Sequence, residues 1–125
     1  MNRHQPETVP APSGPYSAGI SVGNLLFLAG QGPFDAAGER VGDTFEEQVR
    51  ATFDNLERVA NDAGTSLANA VRVGAYLTSL DYFDAFNRVM AEYVSDPYPV
   101  RTTIPVALRG FDVEIDAILL IPQED

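Results

Sequence analysis

The residues of this chain best suited to chemistry are Arg101 and Glu114, near its C-terminal end. A guanidinium grips a carboxylate through two parallel hydrogen bonds. A glutamate beside water can accept a proton and return it. The plainer role for such residues is a structural ion pair, Arg101 with Glu114 or Asp116. Both lie in segments that read as strands. Arg101 to Leu108 and Asp112 to Ile121 are rich in β-branched residues, separated by Arg109-Gly110 and bounded by Pro99 and Pro122. Strand side chains alternate with period 2, so Thr102, Ile104, Val106 and Leu108 share one face and Arg101 and Thr103 the other. In the second strand Val113, Ile115, Ala117, Leu119 and Ile121 line one face, opposite Glu114, Asp116, Ile118 and Leu120. If the two strands pair as a hairpin, Arg101 and Glu114 converge on the non-core face.

That second face turns apolar at Ile118 and Leu120, and a strand apolar on both sides is covered on both sides. In so short a chain helices cover one face, and a second copy is the natural cover for the other. The expectation is an oligomer interface with polar sites at its rim.

Composition narrows the options. A chain of 125 residues, 45% hydrophobic, fits one domain with one core. No apolar run approaches the ~20 residues of a membrane span, and no hydrophobic segment follows Arg3, so the sequence-based expectation is a cytoplasmic protein. Cysteine is absent, which removes thiol catalysis and sulfur-ligated metals. All eight basic residues are arginines, so a lysine Schiff base and lysine-anchored pyridoxal phosphate are excluded. A formal net charge of −10 opposes nucleic-acid binding, whose affinity comes mainly from phosphate neutralisation. The single histidine, His4, sits in a proline-punctuated tail, and the acids show no metal-loop spacing. Neither a metal nor a cofactor is expected.

In chain order, residues 1–14 read as an irregular arm and residues 15–123 as a single domain. Ser17–Val22 and Leu25–Gln31 predict two strands joined by a hairpin turn at Gly23-Asn24. The second lacks alternation and is expected to be buried on both faces. Asp43 or Thr44 caps a helix whose apolar positions are Phe45, Val49, Phe53, Leu56, Val59, Ala60 and Ala63, with Gly64 as its stop. Arg50, Asp54, Glu57 and Arg58 read as its solvated face. Val71–Leu77 is a strand with Val71, Val73, Ala75 and Leu77 on one side. Ser79 or Asp81 caps a second helix through Tyr82, Phe86, Val89, Met90 and Tyr93, ended by Pro97 and Pro99. The order β-β-α-β-α-β-β predicts an α+β domain, two helices on one face of a single mixed sheet.

The pieces Gly14-Pro15-Tyr16-Ser17, Ala29-Gly30-Gln31 with Pro33, Phe86-Asn87, Pro99-Val100-Arg101-Thr102-Thr103 and Val113-Glu114-Ile115-Asp116-Ala117, in this order and spacing, resemble the RidA (YjgF) family of reactive intermediate deaminases. The resemblance spans Gly14 to Pro122. It implies a chorismate-mutase-like fold and a barrel-forming homotrimer with clefts between subunits. It also implies cofactor-independent hydrolysis of enamines and imines, such as 2-aminoacrylate and other 2-imino acids, to 2-keto acids and ammonia, the 2-iminobutanoate/2-iminopropanoate deaminase reaction. By resemblance Arg101 binds the substrate carboxylate, Glu114 positions or activates water, and Tyr16, Gly30, Asn87 and Thr103 line the same cleft. Thr103 stands where the best-known deaminase branch has cysteine, and Leu108-Arg109-Gly110-Phe111 replaces that branch's Leu-Pro turn. Two other readings go with the fold: a non-catalytic module that binds small carboxylates, and a ribonuclease or translation inhibitor. The first needs only the arginine, and the charge of −10 opposes the second.

Overall fold

A computed structural model describes residues 1–123. Eight elements follow in order: β1 Asn2–His4, β2 Gly19–Val22, β3 Leu25–Gln31, α1 Phe45–Asp62, β4 Ala70–Leu77, α2 Phe83–Met90, β5 Val100–Pro105 and β6 Val113–Leu120. They form one mixed sheet in the order β1-β2-β3-β6-β4-β5, with β4 and β5 parallel and the other neighbours antiparallel. Both helices pack on one side. This is the expected α+β architecture, with one strand more than the sequence suggests.

α1 starts where the sequence places it. Thr44 Oγ1 accepts from the Glu47 backbone N–H at 3.1 Å, and Glu46 and Glu47 lie against the positive end of the helix. Val49, Phe53, Leu56, Val59 and Ala60 are fully buried beneath it. They meet Leu26, Leu28, Val73, Ala75, Leu77, Val113, Ile115 and Leu119 from the sheet in one core. Gly64 ends the segment with φ of +84°, a conformation in which a side chain is strained. α2 is shorter than its apolar spacing suggests. Ser79 caps a separate 3₁₀ turn, Leu80–Tyr82, and Tyr93 lies past the helix end, stacked on Phe53 at 4.9 Å.

Several expectations fail. Residues 1–14 are not wholly irregular: β1 pairs with β2 from Asn2 opposite Ser21 to His4 opposite Gly19. His4 is held there by Ser21 Oγ at 2.9 Å and Asp62 at 3.4 Å rather than solvated. β5 and β6 do not form a hairpin. β4 lies between them, paired in parallel with β5 and antiparallel with β6. The faces of β5 are reversed as well. Arg101 and Thr103 point to the helix side, beside the buried Val73 and Ala75, while Thr102 and Ile104 face the open side. As an edge strand, β5 tolerates Pro105, whose missing N–H is no loss at its final position. Val71 is exposed, because the register between β4 and β6 shifts between Ala70 and Arg72. β3 is buried on one face only in the single chain, with Phe27 42% exposed on the other. The open face carries Val22, Phe27, Ile118 and Leu120 at one end and Glu114, Asp116, Arg72 and Tyr76 at the other.

The polar side of α1 is largely solvated, as expected, with Asp54 and Arg58 exposed, and it carries ties to neighbouring segments. Arg50 pairs with Glu92 at 2.8 Å, Asp54 accepts from the Tyr93 hydroxyl at 2.8 Å, and Glu57 accepts from the Leu67 N–H at 3.1 Å. A further polar row, Gln48, Thr52 and Asn55, is buried at helical spacing. Gln48 Oε1 accepts from the Asp112 N–H at 2.9 Å, and Asn55 Nδ2 donates to the carbonyls of Gly32 and Phe34 at 3.2 and 2.7 Å. The helix thereby anchors the loop leaving β3 and the loop entering β6. Replacing Asn55 with Ala leaves two carbonyls short of a donor. The expected cost is about 2 kcal/mol, within the usual range for a buried polar group losing its partner. A lowered urea midpoint checks it, and an unchanged midpoint would show that the loop is held by other contacts.

Candidate functional site

The candidate residues fall into two groups, and the sheet separates them. Arg101 lies on the helix side of β5. Its Nη1 donates to Asn87 Oδ1 at 2.6 Å and contacts Met90 Sδ at 3.5 Å. The guanidinium stands 5.3 and 5.5 Å from the ring centroids of Phe83 and Phe86, in cation–π range. All of these partners come from α2, whose turns present Phe83, Phe86, Asn87 and Met90 on one side. Among the described residues no carboxylate pairs with Arg101: the ion pairs are His4–Asp62, Arg50–Glu92, Arg72–Asp116 and Arg88–Glu46. Burial without a counter-charge pulls its pKa below the ordinary arginine value. Thr103 shares this face two residues along, beside Ala75. An open cleft of about 480 Å³ begins at Arg101 and Asn87 and runs along the end of α2.

Glu114 lies on the other side. Its neighbours Val113 and Ile115 are fully buried in the core, so alternation turns Glu114 to the open face, next to Tyr76 of β4. The β3–β6 register shifts between Leu28 and Gln31, and Gly30 falls in that irregular stretch. A Cβ at position 30 would sit 2.5 Å from Glu114 Oε2, so the carboxylate occupies the space that glycine leaves open. Tyr16 is near enough for the Glu114 charge to act on it. Its hydroxyl accepts from the Ser13 backbone N–H at 3.2 Å, and the Ser13 contacts hold its pKa below the ordinary tyrosine value. Two residues on, Asp116 is bound by Arg72 Nη1 at 3.2 Å and by the Tyr76 hydroxyl at 2.9 Å. Its carboxylate fills the space over Gly74 that a side chain there would need.

Among the described residues Glu114 itself has neither a donor nor a counter-ion. Burial first, and the neighbouring Asp116 charge second, push its carboxyl above the ordinary carboxylate range. The folded chain therefore binds this proton more tightly than the unfolded chain does. The group's stabilising contribution is full below the ordinary carboxylate pKa and is lost as pH rises through the raised value. Glu114→Gln never carries the charge. Its melting temperature is expected to match wild type near pH 4 and to exceed it at pH 7 to 8, in paired thermal scans. A gap that stayed constant with pH would show that Glu114 is not perturbed.

The candidate residues thus divide. Gly30 and Glu114 come together on the open face, with Tyr16 in electrostatic range of Glu114. Arg101, Asn87 and Thr103 belong to the helix face. The reading of Arg101 as an ion-pair partner of Glu114 or Asp116 is overturned, because Arg72 takes Asp116 and the sheet stands between Arg101 and Glu114. Sequence reasoning missed the supporting residues Phe83, Met90, Arg72, Tyr76, Gln48 and Asn55. The last two had a readable signal, polar side chains at i and i+7 on the side of α1 that also carries buried Thr52. Among the described residues no cluster of three or more acids or histidines suits a metal ion, and no helix is long and apolar enough to cross a membrane.

Comparison with known proteins gives a consistent answer. The family model described as Endoribonuclease L-PSP matches residues 6–121. A RutC family protein of Pyrococcus abyssi is 39% identical over 111 residues, which cover 88% of this chain and 87% of that protein. A protein of Dermatophagoides farinae named 2-iminobutanoate/2-iminopropanoate deaminase is 33% identical over 115 residues, covering 90% of each chain. Among solved structures, RidA from an Antarctic Psychrobacter superimposes with a TM-score of 0.89 at 34% identity, covering 97% of this chain and 100% of that one. The E. coli YjgF gene product does so with a TM-score of 0.85 at 25% identity, covering 96% and 98%. With matches in sequence and in fold along nearly its whole length, the chain belongs to the RidA (YjgF) family.

Proposed function

We propose that the protein hydrolyses reactive enamine and imine intermediates, 2-aminoacrylate and other 2-imino acids, to 2-keto acids and ammonia, without a cofactor. The observation that carries this reading is a half-buried cation and a half-buried acid, each lacking a counter-charge among the described residues of its own chain. Unpaired buried charges are costly, and a carboxylate substrate with a reacting water would use both. Arg101 binds the substrate carboxylate, with Asn87 holding the guanidinium and Thr103 beside it. Glu114 takes a proton from water as the oxygen attacks the carbon of the protonated imine. The neutral carbinolamine receives that proton at nitrogen, the C–N bond breaks and ammonia leaves, and the hydroxyl proton passes to Glu114 as the ketone forms and from there to solvent. An enamine reaches the same point after protonation at carbon. Tyr16 and Gly30 border the water side.

Because Arg101 and Glu114 lie on opposite faces of one sheet, a site that uses both takes them from two copies. We assign the open face to contact between copies, in a homotrimer with its sheets inward and its sites at subunit boundaries. The apolar side chains Val22, Phe27 and Leu120, exposed in the single chain, support such a cover. Loss of the second catalytic group would favour simple carboxylate binding, but Glu114 is retained. An endoribonuclease reading takes its support from the descriptions of the family and of some matching structures, and the net charge of −10 opposes it.

The test is imine hydrolysis. An amino-acid oxidase supplies 2-imino acids, and semicarbazide traps what survives. Wild type is expected to reduce the trapped product. Arg101→Ala is expected to lose about 100-fold in kcat/KM, from charge-assisted hydrogen bonds of about 1.5–3 kcal/mol each, and Glu114→Ala about 100-fold or more from lost acid–base catalysis. A folded wild type that leaves trapping unchanged would overturn the proposal.

A further inference from the structure

A second cleft, of about 270 Å³, lies between α1 and the loop that leaves β3, and neither Arg101 nor Glu114 borders it. Its charged walls are Arg58 and Asp54 of α1 and Asp35 of the loop, and its apolar walls are Phe34, Val41 and Ala51. Opposite charges face one small space, yet among the described residues Arg58 is in none of the ion pairs. Its Nη1 donates instead to Asn55 Oδ1 at 2.9 Å, a neutral acceptor that orients the cation without cancelling it. Both acids keep an oxygen to spare. Asp54 Oδ1 accepts from the Tyr93 hydroxyl at 2.8 Å, and Asp35 Oδ1 accepts from the Ala37 and Glu39 N–H groups at 3.0 and 2.9 Å. The second oxygen of each has no partner among the described residues. The walls are set in advance. Asn55 is 1% exposed, and its nitrogen holds the Gly32 and Phe34 carbonyls while its oxygen holds Arg58. The loop closes on itself, with Phe34 bridged to Arg40 and the Val41 N–H donating to the Pro33 carbonyl at 2.8 Å. One buried amide thus fixes the cation relative to the loop that carries Asp35.

We propose that this cleft binds a free α-amino acid, with its carboxylate on Arg58, its ammonium at Asp35 and Asp54, and its side chain against Phe34, Val41 and Ala51. Only a zwitterion matches both ends. An anion alone meets two carboxylates, and a cation alone meets the guanidinium, so each is opposed by a like charge. The guanidinium takes a carboxylate through two parallel bonds, and an ammonium has three donors to divide between two acids. The volume lies just under the roughly 300 Å³ at which drug-sized sites begin, which suits a small metabolite. Because the charged groups are held before the ligand arrives, little ordering is lost on binding. They are also exposed, so water screens them and the affinity is modest. The proposal stands apart from the deaminase reading and needs no part of it.

Ligand-observed NMR titration, which suits modest affinities, tests it with three probes: L-leucine, 4-methylpentanoate, which lacks the ammonium, and 3-methylbutylamine, which lacks the carboxylate. The full chain is titrated as wild type and as Arg101→Ala, so that the other unpaired arginine cannot account for carboxylate binding. In both, L-leucine is expected to bind about tenfold tighter than either single-charge probe. Arg58→Gln and Asp35→Asn are each expected to lower leucine affinity about tenfold and to erase its advantage over the single-charge probes. Asp35→Asn keeps the oxygen that the Ala37 and Glu39 N–H groups use, so the loop stays closed while the charge is lost. The melting temperature of each variant is checked, and the comparison of the three probes on wild type decides the matter even where a variant fails to fold. Leucine binding no better than either analogue overturns the proposal. Leucine binding that disappears in Arg101→Ala but survives Arg58→Gln overturns it too, because the amino acid then sits at the other arginine. An amine that binds as well as leucine and ignores Arg58→Gln marks a plain cation site and likewise overturns it.

Discussion

Arg101→Ala and Glu114→Gln chains, each inactive alone, are expected to regain imine hydrolysis when they are refolded together. The reason lies in the register. Arg101 is aligned with Val73, which is aligned with Ala117, and all three project to the helix side. Glu114 is aligned with Tyr76 on the other side, between buried Val113 and Ile115. No rotamer carries either side chain through a hydrogen-bonded sheet, so a site with both groups needs two chains. In a ring of head-to-tail contacts each boundary pairs the arginine of one chain with the glutamate of the next. A boundary is intact when a Glu114→Gln chain supplies the arginine and an Arg101→Ala chain supplies the glutamate. Random mixing of equal amounts gives such boundaries at a frequency of about one in four, so roughly a quarter of wild-type activity is expected. The double variant mixed with wild type serves as the control. Mixed oligomers that stay as inactive as the separate variants would show that one chain holds the whole site.

Asn87→Asp is expected to raise KM by about 100-fold or more while leaving the chain at least as stable as wild type. The Asn87 oxygen must be the atom that faces Arg101, because a guanidinium has only donors to offer. At 2.6 Å it orients the cation without neutralising it. The nearly isosteric aspartate places a carboxylate at the same point. A charge-assisted pair forms in a partly buried setting, where it is stronger than in water, and the substrate carboxylate must displace it. The same pair relieves the cost of an unmatched buried cation, so the melting temperature is expected to rise. Asn87→Ser keeps a neutral acceptor with a shorter reach, and its KM is expected to rise less. KM and melting temperature moving together in Asn87→Asp is the signature sought. A normal KM in that variant would place the substrate carboxylate elsewhere.

Local pattern was enough for most of the elements and for naming candidate site residues. The capping Thr44 with Glu47, the apolar stripe from Val49 to Ala60 and the stop at Gly64 mark α1 within a single stretch of chain, because a helix satisfies its hydrogen bonds locally. The hairpin at Gly23-Asn24 and the alternation around Val113–Leu119 are equally local. The order and spacing of the segments around Tyr16, Gly30, Asn87, Arg101 and Glu114 carried the family. The extra strand β1 was hidden because three polar residues have no pattern of their own, and their pairing depends on β2 seventeen or so positions away in the chain.

What the tertiary structure alone decided is where those residues stand relative to one another. Period-2 alternation states that Arg101 and Thr103 share one face and Thr102 and Ile104 the other, but not which face meets the helices. For β6 a clean apolar row made that choice. For β5 it misled, because at the sheet edge Ile104 and Val100 face the open side while α2 reaches over Arg101. Nor does adjacency in sequence imply adjacency in the sheet. β4 inserts between β5 and β6 because pairing is set by the burial of both faces of the whole sheet, a sum over the entire chain. The sequence by itself thus determined the helices, most strands and the two candidate residues. The fold decided that Arg101 and Glu114 stand back to back, since strand order and sheet sidedness are properties of the assembled core and not of any one segment.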